Sequence, residues 1–160
     1  MTDVHETVQR LEQSAAFRSF TNANPHHYLV HVFTTVSGKA APLELGYYGN
    51  DKITVFKTEP VAAMPPEDVF KEQGTLQKLD LGLVKLGLQE ALERAEKERV
   101  INYPRHPTMK VICVLQQHNM PVWNLTLVTN TLQMINMKFS ALTGELISRQ
   151  IQSIMNLARE

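Results

Sequence analysis

The chain has 160 residues, 43% of them hydrophobic and 20% charged, and its sixteen Lys and Arg balance sixteen Asp and Glu. That length supports a core without metal or disulfide staples, and the even charge supplies no global field to hold a nucleic-acid backbone or an anionic membrane. One cysteine excludes a disulfide framework within the chain.

In chain order, Val4, Val8, Leu11, Ala15 and Phe17 fall near helical spacing, with Asp3 placed to cap and Asn22-Ala23-Asn24-Pro25 to stop, which predicts a helix over 3–19. Tyr28 to Val36 is rich in β-branched and aromatic residues and closes at Ser37-Gly38-Lys39, the pattern of a strand and its turn. Leu43 to Tyr48 and Ile53 to Phe56 flank Gly49-Asn50-Asp51-Lys52, a tight-turn composition that predicts a hairpin. Residues 58–68 carry three of the eight prolines and read as a loop, with Glu67-Asp68 after Pro65-Pro66 suited to the first turn of a short helix.

Val84, Leu88, Ala91, Leu92 and Ala95 form an apolar stripe, while Glu90/Arg94 and Glu93/Lys97 pair on the wet side, predicting a helix over 80–99. Three extended segments follow at 109–116, 122–129 and 132–139, and the turn Ala141-Leu142-Thr143-Gly144-Glu145 ends them. Ile147, Ile151, Ile154, Met155 and Ala158 then predict a final amphipathic helix that packs back on the sheet. The expected fold is α+β, a helix plus a three-stranded antiparallel meander used twice (α-βββ-α-βββ-α). It divides as a first half 1–60, a linker 61–75 and a second half 76–160, together one compact unit.

The helix ending Leu88-Gln89-Glu90-Ala91-Leu92-Glu93-Arg94-Ala95, the strand Pro121-Val122-Trp123-Asn124-Leu125-Thr126-Leu127 and the run Met137 to Ile147 together resemble a PepSY domain. That module is found in propeptides of thermolysin-like proteases and in the YpeB germination protein. The resemblance covers about 75–149, with the first half as a degenerate copy, and departs from the family where Ser140 stands in place of a common Asp. It implies a cystatin/PepSY-like architecture and an interaction or inhibitory module. Element order alone also resembles the type III secretion chaperones, a likeness of fold only.

Candidate chemistry is sparse. His26, His27 and His31 invite comparison with a zinc motif, but on a strand His27 and His31 share a face about 13 Å apart, too far for one ion, so no metal is expected. Cys113 lies in an apolar run as a buried hydrophobe, and His106 and His118 sit in loops. No phosphate loop, nucleophile elbow or zinc motif occurs, so no catalytic residue and no cofactor are expected.

Trp123, Leu125 and Leu127 are expected on one face of their strand, either as core or as the anchors of a binding face. Ile112, Val114, Ile135, Met137 and Phe139 make some strands apolar on both faces, and that second face calls for cover from the last helix, from the other half or from another chain. The function expected is therefore a non-enzymatic protein-binding module, its partner another protein or a second copy, with neither nucleic acid nor membrane as partner. The alternative is a small-molecule-binding protein or enzyme with a pocket between sheet and helix, lined by His31, Thr35, Asn124 and Thr126. The acidic start Met-Thr-Asp-Val-His-Glu lacks the basic and apolar regions of a signal peptide and points to the cytoplasm, although a chain trimmed of an export signal would read the same.

Overall fold

The computed structural model describes residues 3–69 and 76–157, without the side chains of 156 and 157. Asp3 caps α1 (Val4–Glu12), its carboxylate accepting from the His5 and Glu6 N–H groups. The single helix expected here is two, because the Ser14 hydroxyl accepts from Phe17 N–H and starts α2 (Ala15–Ala23) afresh. The break turns Phe17 and Phe20 toward His27, Tyr47 and Phe56, whose rings pack with centroids 4.8–6.1 Å apart.

Strands β1 (Tyr28–Ser37), β3 (Glu44–Gly49) and β4 (Lys52–Thr58) follow as expected of their β-branched and aromatic runs, and the turn after β1 adds a short unexpected strand, β2 (Lys39–Ala40), paired back to β1. The loop expected at 58–68 holds two short strands, β5 (Val61–Ala63) and β6 (Glu67–Asp68), both paired to β4. Glu67 and Asp68 thus lie on a strand rather than in a helical turn. Residues 70–75 of the linker are outside the described residues.

The helix expected over 80–99 begins later, as α3 (Leu88–Asn102). Before it, Asp80 caps a single 3-10 turn at Leu81–Leu83, and the chain then runs extended with Val84, Leu86 and Leu88 buried and Lys85 and Gly87 exposed. Lys85 and Leu86 N–H both donate to the Ala141 carbonyl at 2.8 Å, which fastens this strap to the turn after the sheet. Ala91 and Ala95, both buried, are small enough to bring α3 close to the strands below.

Strands β7 (Thr108–Gln117), β8 (Pro121–Thr129) and β9 (Gln133–Ser140) make the expected meander. The final helix does not form over most of its expected length: Leu146–Ser153 is β10, paired antiparallel to β9, and only Ile154–Leu157 is helical (α4). Arg149 explains the choice. In a strand it turns to the helix side, where it meets Glu98 at 3.1 Å and lies 5.9 Å over the Tyr103 ring. Ala158, the end of the expected stripe, is outside the described residues.

Among the described residues the ten strands form one antiparallel sheet, ordered β10-β9-β8-β7-β1-β3-β4-β5 with β2 on β1 and β6 on β4, so β1 and β7 join the two halves. Cross-strand register divides its side chains cleanly. Val32, Leu45, Leu115, Trp123, Leu125, Leu127, Met137 and Phe139 face the helices and form one buried cluster with them. The chain is α+β with a single antiparallel sheet, and among the described residues no helix is long and apolar enough to cross a membrane.

Candidate binding face

The face away from the helices carries the site. Strand alternation places Phe33, Thr35, Ile112, Val114, Val128 and Met134 there, all half-buried, with Val122 more deeply set. Phe33 lies opposite Val114 and Thr35 opposite Ile112, which makes an apolar centre across β1 and β7. The buried faces of the described helices pack on the other side, and most of the last helix, one of the three covers considered for this face, became β10 and extended the sheet instead.

Polar groups flank this centre. Asn136 Nδ2 donates to Asn124 Oδ1 at 2.6 Å and to Thr126 Oγ1 at 3.1 Å, so its two protons tie β9 to β8. Lys138 pairs across from Asn124 and adds a cation. On the other side His31 sits opposite Gln116 and over Gly46, where an added Cβ would run into the imidazole ring. Burial pulls the His31 pKa below its ordinary value, so the ring is neutral near pH 7.

The structure divides the residues singled out from sequence. His31, Asn124 and Thr126 share the open face, with Thr35. Trp123, Leu125 and Leu127 lie on the covered face at 0–1% exposure, and Trp123 Nε1 donates to the Leu86 carbonyl at 2.8 Å, so they are core and present no anchor to a partner. Nor do the pocket candidates converge on a cavity between sheet and helix, since they lie on the side away from the helices. Ile135, Met137 and Phe139 likewise belong to the core, whereas Ile112 and Val114 do line the second face. Phe33, Val122 and Val128 join them without a sequence signal of their own, although period-2 counting from Ile112 and Val114 across the meander reaches the last two.

His27 and His31 do not share a face. A bulge between Leu29 and His31 shifts the alternation, sending His27 to the aromatic cluster beneath the helices and His31 to the open side. Among the described residues no group of His, Cys, Asp and Glu is arranged to hold a metal. Cys113 is fully buried and its thiol is pushed up to about 12, as expected of a core residue.

A cleft of about 630 Å³ opens elsewhere, beside the start of β1, lined by Glu12, His27, Tyr47, Lys78, Asp80 and Gln117 among others. The buried Tyr47 hydroxyl donates to Glu12 at 3.0 Å, and burial together with that carboxylate raises its pKa, keeping it a neutral donor. The His27 ring meets Thr21 Oγ1 at 3.1 Å through Nε2 while Nδ1 is buried without a partner; burial lowers its pKa and the nearby Glu12 opposes the shift.

These two histidines predict a pH dependence. Both are held below the unfolded value of about 6.5, so the unfolded chain takes up protons first. Their contribution is complete above pH 6.5 and is lost as the pH falls toward their folded values. Glu96, held low by its hydrogen bond from Arg99, costs stability only below about pH 4.5. Denaturation midpoints should therefore fall between pH 7 and 5, and a variant with both His27→Gln and His31→Gln should lose most of that slope. An equally steep slope in the double variant would contradict the assignment.

No family model matches the chain, and no curated protein does. Among solved structures the fold is similar to a candidate lipoprotein from Clostridium difficile 630, with a TM-score of 0.58 over 89% of this chain and 97% of that one, at 15% sequence identity. At that identity the likeness is one of fold: an α+β chain built on an antiparallel sheet.

Proposed function

We propose that this chain is a non-enzymatic protein-binding module of PepSY-like type, whose partner seats on the open face of the sheet. One observation carries the reading: the strands share a sheet whose buried core faces the helices, leaving the apolar centre Phe33, Ile112 and Val114 on the other face only half-buried between polar flanks. An apolar centre with a hydrogen-bonding rim is the anatomy of a protein interface. Two units, each with helices ahead of a meander and joined through β1 and β7, fit a duplicated module. The turn after β9 adds support: the Ser140 hydroxyl accepts from the Leu142 and Thr143 N–H groups at 3.2 and 3.1 Å, the work a carboxylate would do at that position.

Val114→Asp tests this reading. A charge at the centre of the open face should abolish co-purification of the partner from source cells, while Glu93→Lys on the exposed side of α3 should preserve it. Because Val114 lies outside the buried core cluster, thermal melting of the variant should show a folded protein. The same protein recovered with the Val114→Asp bait would contradict the proposal.

A second reading rests on the cleft. Glu12, Asp80 and Lys78 offer both charges beside the aromatic rings of Tyr28, His27 and Tyr47, which suits a small zwitterionic molecule. Binding there would be lost in Glu12→Gln and kept in Val114→Asp, which separates the two readings.

A further inference from the structure

The sheet ends in two edges that the sequence treats differently. Past β4 the edge is divided between β5 and β6, three and two residues long, with Pro60, Pro65 and Pro66 in the same stretch and the charges Glu67 and Asp68 on β6 itself. Short strands, prolines and charges are the devices that prevent an edge from recruiting another strand. At the other end β10 is eight residues long, with no proline, glycine or lysine; its one bulge is confined to its start, between Leu146 and Ser148, and among the described residues it pairs with β9 alone. Its one charged residue, Arg149, is held by Glu98 and Tyr103 of its own chain. Ile147 and Ile151, 52% and 37% exposed, stand unshielded on the helix side, and Ser148, Gln150 and Gln152 on the other side carry no charge.

We infer that β10 is a homodimer interface, two copies pairing their β10 strands antiparallel about a two-fold axis at Gln150. A second copy is the occupant because the strand complements itself. A two-fold axis normal to the sheet keeps every side chain on its own face, so the central residue must meet its own copy. Centred on Gln150, the open face sets Gln150 against Gln150 and Ser148 against Gln152, two amides and a hydroxyl-amide pair able to hydrogen-bond. On the helix face Arg149 lies against Ile151 and Ile147 against Ser153, so the aliphatic stem of the arginine packs along the isoleucine.

The neighbouring registers are worse. Centring on Arg149 sets two guanidinium groups directly opposite, and centring on Ile151 shortens the ladder to Arg149 through Ser153. In the Gln150 register both helix layers lie on one side and the two open faces become one continuous surface.

Charge exchange at the axis tests this. Gln150 is exposed, so Gln150→Lys and Gln150→Glu should leave the fold intact by thermal melting. Light scattering on wild-type protein should give twice 18.2 kDa. Each variant alone should be monomeric at the same concentration, since it opposes like charges across the axis, and an equimolar mixture should form a heterodimer that salt weakens. The dimer does not rest on partner binding at the open face: Val114→Asp, on β7, should leave the mass unchanged. A monomeric wild type, single variants that stay dimeric, or a mixture that stays monomeric overturns the inference.

Discussion

Trp123→Ala should lower stability by about 3–5 kcal/mol, the largest single loss expected in this molecule. The indole is fully buried opposite Leu115 and Phe139, beneath the strap that leads into α3. Truncation leaves a cavity and also strips the Leu86 carbonyl of the indole N–H at 2.8 Å. That bond ties the extended stretch before α3 to the sheet, so the loss should spread to the seating of the helix. Trp123→Phe separates the two effects, since it fills most of the volume and removes only the donor, at a cost of about 1–3 kcal/mol. Urea denaturation monitored by far-UV circular dichroism measures both. A Trp123→Ala protein as stable as wild type would show that the indole is not the core anchor described above.

Gly46→Ala should cost about 1–3 kcal/mol for a single added methyl, an effect that residue size alone would not suggest. A Cβ at this position meets the His31 ring atoms, because the bulge before His31 lays the imidazole across β3. Where overpacking is the cause, removing the ring removes the cost. The double variant Gly46→Ala with His31→Ala should be more stable than the sum of the single effects by about 0.5–3 kcal/mol. Strict additivity would mean that Gly46 is required by its backbone and not by its neighbour.

Much of this fold was legible because local signals agreed. Asp3 capped the helix assigned to it, Ser37-Gly38-Lys39 turned a strand, and the meander from β7 to β9 ended at the turn read for it. Two misplaced helix bounds share one physical origin. Residues four apart lie on one side of a helix and also on one face of a strand, so Val84 with Leu88 and Ile147 with Ile151 satisfy both periods. In each case tertiary partners decided: the Ala141 carbonyl claimed the amides of Lys85 and Leu86, and β9 with Glu98 claimed β10. Ser14 acts as a second cap although the apolar spacing continues through it.

The open face was half legible. Ile112 and Val114 announced an apolar second side, but Phe33 joins them only through the pairing of β1 with β7, a contact across some eighty residues that no local pattern encodes. His31 required the bulge to reach that face at all. Trp123, conspicuous in the sequence as the only tryptophan, belonged to the covered side.

Site-specific photo-crosslinking in source cells tests the central claim most directly. A photoreactive residue at Val114, at the centre of the open face, should give a discrete adduct with a partner protein, whereas the same group at Glu93 on the outer side of α3 should give none. Adducts at Glu93 with none at Val114, or none at either, would contradict the assignment of the open sheet face as the binding surface.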